Sequence, residues 1–505
     1  MSEPSKTARK PRAQKVERAS TGIAGLDSIL GGGLPTNHLY LLDGEPGTGK
    51  TTLALQFLLE GAKVGERGLY VTLSESTLEL EGVAQSHGWN LDQIEIFELS
   101  AASMPQEEYT LFHPAEVELQ ETVSEVLEAV SASEPARVVF DSLSEMRLLA
   151  RDPLRFRRQI LALKQFFAGR KCTVLLLDDK SAPEGDMQLH SLAHGVIALE
   201  HLAMEYGAER RRMQVTKLRG VRFWGGYHDF RICTGGIAVY PRIRRGAGVT
   251  SKNLESLKSN SAALDALLGG GLARGTSTLI TGAAGTGKTV LSVQYVCAAV
   301  DRGERVRMFM FDERTSTFHA RAEALGMDLS TPIADGRLSI VQIEPTQMSP
   351  GEFANGVVRA VQVDDVSLLV IDSINGYMNS MPSERLLGVQ LHELLSFLND
   401  HGVTSVLTLV QHGVFGGPVE EAVEVSYLAD TVILLRYFEF QGAVRGAISV
   451  VKKRSGPHEH TIRECRVAHG GLSVGEPLTE FRGVLTGVPQ YTGASEPLMH
   501  GSQLR

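Results

Sequence analysis

The 505-residue sequence predicts an α/β protein of two tandem domains, each a mainly parallel twisted sheet flanked by helices. Three observations predict it. The segment GEPGTGKT at Gly44 to Thr51 returns as GAAGTGKT at Gly282 to Thr289. With the 238-residue offset between Lys50 and Lys288 and no gap, Leu26-Asp27 falls on Leu264-Asp265, Gly31 to Leu34 on Gly269 to Leu272, Gln56 on Gln294, Glu66-Arg67 on Glu304-Arg305 and Glu75 on Glu313. Finally, apolar strand-like runs alternate with helix-like stretches through both halves, as in parallel strands joined by crossover helices. A shared register of that length indicates tandem duplication rather than the fusion of unrelated domains.

The elements follow in order. His38 to Leu42 reads as a strand and Thr52 to Leu59 as an apolar-periodic helix, with the first glycine loop between them. Further strand-like runs lie at Gly68 to Leu73, Arg137 to Phe140 and Thr173 to Leu177, separated by helical stretches such as Ala115 to Val130 and Leu154 to Phe167. Arg242 to Asn260, rich in Arg, Gly and Ser, reads as the linker. The second half repeats the plan with Ser277 to Thr281, a helix at Val290 to Val300, then Val306 to Phe311, Ser367 to Ile371 and Thr404 to Val410. The expected boundaries are a disordered basic tail at 1–18, domains at 19–245 and 246–482, and a C-terminal tail at 483–505.

Composition excludes several classes. With 43% hydrophobic and 22% charged residues and no apolar run of bilayer length, a soluble globular protein without a membrane span is expected. The net charge of −9 offers no broad basic surface, which argues against nucleic acid as a partner. Lys6, Arg9, Lys10, Arg12, Lys15 and Arg18 have no apolar core following them, so no secretory signal is expected. Cys172, Cys233, Cys297 and Cys465 are scattered, giving no zinc pattern or disulfide framework and fitting a cytoplasmic location.

Both loops match G-x-x-x-x-G-K-[ST], in which backbone N–H groups wrap a phosphate, the lysine meets the β- and γ-phosphates and the hydroxyl joins Mg²⁺. Strand, loop and helix together place the phosphates at a helix N-terminus. ATP and Mg²⁺ are the expected ligands. Asp141 ends ARVVFDS and Asp372 ends SLLVIDS, at the C-terminal strand ends where α/β sheets bind ligands; with Thr51 and Thr289 they are the expected metal-side groups. Glu75 in YVTLSES and Glu313 in MFMFDER are the candidate general bases, with Glu313 also counted on the metal side. Asp312 joins Glu313 in an acidic pair, and adjacent carboxylates raise one another's pKa, so the stronger base is expected in the second half. Lys217 with Arg219, and Lys452 with Arg454, are spaced i, i+2, which on a strand puts each pair on one face.

Assembled, these features resemble the KaiC family of double RecA-like ATPases. The similarity covers about residues 19 to 490 and rests on the paired loops with their GGGLP and GGGLA approaches, the strand-end carboxylates, KLRG, and YLADTVILLRYFEFQGAVRGAISVVKKRSGPHEHTIRE at Tyr427 to Glu464. The resemblance implies tandem RecA-like P-loop domains and a two-tier homohexamer with ATP between subunits. It implies an ATP-binding set of Gly44, Gly47, Thr48, Gly49, Lys50, Thr51, Thr52 and Ser86 in the first half, completed in trans by Lys217, Leu218 and Arg219. The second set is Gly282, Gly285, Thr286, Gly287, Lys288, Thr289, Val290 and Leu325 with Lys452, Lys453 and Arg454.

The same resemblance implies slow ATP hydrolysis in the first domain and serine autophosphorylation, with its reversal, in the second. Ser426 matches the family's acceptor serine, whereas Tyr427 stands at the threonine position and Glu421 at a further hydroxyl position. A KaiB-like or other signalling protein is the expected partner, in a signalling or timing role. After FRGVLTGVPQYTG only a short polar tail follows, so a helical segment of the kind through which clock members bind KaiA is not expected. Two other readings stand beside this one: a RecA- or RadA-like DNA-processing ATPase, and a nucleotide-gated scaffold without kinase activity.

Overall fold

The computed structural model describes residues 16–99, 115–150, 152–179, 187–204, 207–244, 256–344, 346–379, 387–411, 426–485 and 489–493. Residues 1–15 of the expected basic tail, linker residues 245–255, Glu421 and the last part of the C-terminal tail lie outside them, whereas Arg18, expected in the disordered tail, pairs with Pro35 in a short strand and donates to the Leu30 and Gly33 carbonyls. The chain divides between Arg242 and Ile243 into two compact units.

Each unit carries a nine-stranded sheet. From one edge, the first sheet runs Gly236–Tyr240, Tyr227–Cys233, Arg210–Leu218, Gly195–Leu202, Leu39–Gly44, Thr173–Asp179, Arg137–Asp141, Gly68–Thr72 and Ile94–Glu98. The last six are mutually parallel and the first three pair antiparallel. The second sheet repeats that order, with Ser277–Gly282 in the place of Leu39–Gly44. The predicted strands and helices all form, whereas the antiparallel extensions were not foreseen. Their apolar alternation is broken by charges such as Arg210, Arg211 and Arg212, which half-bury on an outer strand.

The central parallel strands are mostly apolar and buried because helices cover both faces, with polar residues gathered near their ends. On one face of the first sheet, Tyr40, Leu42, Tyr70, Val139 and Leu175 pack with Leu53, Phe57 and Leu58 of the helix Lys50–Lys63. On the other, Leu41, Leu69, Val71, Val138, Phe140 and Leu176 meet Met146, Phe156, Ile160 and Leu163 of the helices Leu143–Ala150 and Pro153–Phe167. Each such buried side chain contributes about 1.5–3 kcal/mol. The second half divides likewise, with Leu291, Val293 and Tyr295 of Lys288–Asp301 on one face and Leu391, Leu394 and Leu398 of Leu387–Asp400 on the other. In both halves the phosphate-loop helix is thereby pinned against the sheet with its N-terminus at the strand ends. No helix among the described residues is long and apolar enough to cross a membrane.

Candidate nucleotide sites

Each loop is shaped by backbone that only glycine adopts readily. Gly47, Gly49, Gly285 and Gly287 have φ of 79°, 100°, 82° and 95°, in the left-handed region. Gly282 is constrained by space instead, since a Cβ there would lie 2.2 Å from the Leu435 carbonyl oxygen. Gly44 stands at the matching strand end in the first half. Thr48 and Thr286 brace their loops by donating to the Glu45 and Ala283 carbonyls at 2.7 and 2.8 Å. The helices Lys50–Lys63 and Lys288–Asp301 then begin with open N–H groups and no side-chain cap, an arrangement that favours an anion. Thr52 and Val290 are buried in their first turns.

The loop lysines fold back over their loops. Lys50 Nζ donates to the Gly44 and Glu45 carbonyls, and Lys288 Nζ to those of Gly282 and Ala283. Burial lowers the Lys288 pKa to about 8, with Asp372 opposing the shift. Lys50 also forms an ion pair with Asp179 at 2.7 Å.

The strand-end carboxylates lie where the sequence placed them, but their partners differ between halves. Asp141 accepts from the Tyr70 hydroxyl at 2.5 Å and lies 3.4 Å from the Thr51 hydroxyl. Its pKa is raised by burial, with Tyr70 and Lys50 opposing. Asp372 instead accepts from the Thr408 hydroxyl. At the position of Tyr70 the second half has Met308. The peptide bond after each of these aspartates is cis.

The expected crowding of the second-half acidic pair is not what the structure shows. Asp312 accepts from Ser373 at 2.5 Å, while both oxygens of Glu313 are held by the Arg321 guanidinium at 2.9 and 2.7 Å. The two carboxylates therefore turn to separate partners instead of crowding each other. The Glu75 carboxyl is raised, through burial first and then the charges of Asp141, Glu79 and Asp179. Its Oε2 is buried without a hydrogen-bond partner among the described residues.

In the second half, Gly285, Lys288, Thr289, Val290, Asp312, Glu313, Leu325 and Asp372 line one cavity of about 510 Å³, together with Arg321 and Ser373. In the first half Ser86 ends the helix Thr77–Ser86 and donates to the Val83 carbonyl at 2.7 Å.

The cation pairs stand apart from these loops, at the end of an antiparallel strand. Lys217 donates to the His190 and Ala193 carbonyls, and Arg219 to that of Ser191 at 2.8 Å. Lys452 donates to the Ser426 and Ala429 carbonyls at 2.9 and 2.7 Å, and Arg454 to that of Tyr427 at 3.3 Å. Each pair thus shares a face, as i, i+2 spacing requires. The intervening residues face the other way: Leu218 is buried, and Lys453 donates to the Leu268 and Gly271 carbonyls. Tyr70, Asp179, Arg321 and Thr408 had no motif to announce them. Comparing the halves position by position was the available signal, since Tyr70 meets Met308 and Val83 meets Arg321 at the common offset.

A family model described as the KaiC ATPase matches residues 19–244 and 257–479. The chain is 27% identical over 495 residues to the circadian clock protein KaiC3 of Synechocystis, covering 95% of this chain and 96% of that one. It is 27% identical over 498 residues to the circadian clock oscillator protein KaiC of Thermostichus vulcanus, covering 95% and 93%. With the corresponding protein of Picosynechococcus the identity is 26% over 493 residues, covering 95% and 94%.

Proposed function

The chain belongs to the KaiC ATPase family, with two tandem RecA-like domains, and from that premise we propose that it hydrolyses ATP at both sites and autophosphorylates Ser426 in the second half. The convergence of phosphate loop, Asp372 and Glu313 on one cavity supports phosphoryl chemistry in the second half. Oxygen donors such as Thr51 with Asp141, and Thr289 with Asp372, suit a hard divalent cation. Bound there, Mg²⁺ would neutralise charge on the β- and γ-phosphates. Lys50 and Lys288 would hold the phosphates, and Glu75 and Glu313 would orient and deprotonate the attacking oxygen.

One observation carries the autokinase reading. The backbone carbonyls of Ser426 and Tyr427 accept from the same Lys452–Arg454 pair that the family resemblance assigns to a neighbour's ATP, so acceptor and cations lie side by side. In the transfer, the Ser426 hydroxyl oxygen bonds to the γ-phosphorus, the bond to the β,γ-bridging oxygen breaks, ADP leaves and Glu313 takes the hydroxyl proton. A homohexamer with ATP between subunits, trans roles for Lys217, Arg219, Lys452 and Arg454, a cytoplasmic location and a signalling partner complete the reading, with domains at 19–245 and 246–482.

Phosphopeptide mass spectrometry after incubation with Mg²⁺-ATP, beside Glu313→Gln and with ADP release assayed in parallel, tests it. Phosphate on Ser426 that disappears in the variant is the expected result. ADP release without phosphoserine would replace the autokinase with a nucleotide-gated scaffold.

A further inference from the structure

The two halves differ at the candidate base in a way the repeat makes easy to isolate. Glu75 and Glu313 occupy matching positions, each followed by a helix, Thr77–Ser86 and Thr315–Ala324, that aligns without a gap. On the second helix Arg321 reaches back and takes both oxygens of Glu313 in a two-pronged hydrogen-bonded ion pair. On the first, Val83 stands at that position and supplies no donor. Glu75 Oε2 accordingly has no hydrogen-bond partner among the described residues.

We propose that Arg321 is a positioning residue that latches Glu313, holding the second site back until the fork opens. The proposal rests on the reading of Glu313 as the second-site base. A carboxylate orients water or takes a proton through its oxygen lone pairs, and here both oxygens are already engaged by one guanidinium. Glu313 must give up at least one of those bonds before it serves an attacking hydroxyl. Arg321 lines the nucleotide cavity beside Leu325, so the latch stands at the site whose turnover it limits. The pair is partly solvated, with 39% of the Arg321 and 25% of the Glu313 side-chain surface exposed. That exposure keeps it weak enough to open, because solvated ion pairs are worth little. The first site, with valine in place of the latch, needs no such opening.

The test copies the first half into the second. In a Glu75→Gln background, which silences the first site, ATP turnover and nucleotide affinity are measured for Arg321 intact, Arg321→Val and Arg321→Lys. The expected result is a kcat increase of up to about fivefold in Arg321→Val, the factor corresponding to loss of one exposed ion pair. Nucleotide affinity should stay unchanged, and Arg321→Lys, with one donor in place of a fork, should fall between the two. A residue that merely braces the helix would lower the melting temperature without this separation of kcat from affinity. An unchanged or reduced kcat in Arg321→Val and Arg321→Lys, with normal melting curves, overturns the latch. Adding Glu313→Gln separates the two layers of argument. If that change leaves second-site turnover intact, the base assignment falls and takes the latch with it; if turnover is lost while Arg321→Val gives no rise, the latch alone fails.

Discussion

Lys50 Nζ lies 2.7 Å from a carboxylate oxygen of Asp179, at the end of the neighbouring strand. Gly44 pairs with Asp179 in the first sheet, and the matching register in the second pairs Gly282 with Val410. Lys288 consequently forms no ion pair among the described residues and donates to backbone carbonyls. An incoming phosphate must displace Asp179 in the first half but has no such competitor in the second.

Asp179→Val, which copies Val410, is therefore expected to tighten ATP binding at the first site by up to about fivefold, the factor corresponding to loss of one competing ion pair. Titration of a fluorescent ATP analogue in a Lys288→Ala background reads the first site alone. Equal affinity in variant and parent would show that Asp179 leaves Lys50 at no cost to the nucleotide.

Tyr70 supplies the first site with a hydrogen bond that Met308 cannot offer in the second. Its hydroxyl donates to Asp141, whose carboxyl burial raises and Tyr70 draws back down. Tyr70→Phe should leave Asp141 more prone to protonation and raise the half-saturating Mg²⁺ for first-site turnover by about tenfold, as a hydrogen bond to a charged group is worth about 1.5–3 kcal/mol. A Mg²⁺ titration of ADP release in a Glu313→Gln background measures this. An unmoved midpoint would remove Tyr70 from the metal side.

His194 introduces an acid-side weakness in the first half. It stacks on His38 with ring centroids 3.7 Å apart, and burial, then His38, hold its pKa down to about 4. Below the ordinary value of 6.5 the unfolded chain takes up a proton that the folded chain refuses. The associated stability is therefore present above about pH 6.5 and is lost as pH falls toward 4. The strand register puts Asp430 at the position of His194, and Asp430 lies 3.6 Å from Arg454. His194→Asp should then show a smaller fall in Tm between pH 7.5 and pH 5 than the parent. Parallel declines would locate the acid sensitivity elsewhere.

Much of this protein was determined by local sequence. The loops, the alternation of apolar strands with helices, and Asp141 and Asp372 at strand ends are short-range features, because glycine conformations, helix starts and strand ends depend on a few neighbouring residues. The i, i+2 cation pairs share a face for the same reason. The tertiary structure alone decided which side chains meet across strands far apart in the chain. Tyr70 reaches Asp141, Asp179 reaches Lys50, and Thr408 reaches Asp372 through strand order and register, which no local pattern encodes. The acidic pair shows the limit most sharply. Adjacency of Asp312 and Glu313 suggested mutual repulsion, but Ser373 and Arg321 divide them between two partners, while burial raises the carboxyls of Glu75 and Asp141. Proton affinity follows the charges and water that surround a group in space, and that surrounding exists only once the sheet has assembled.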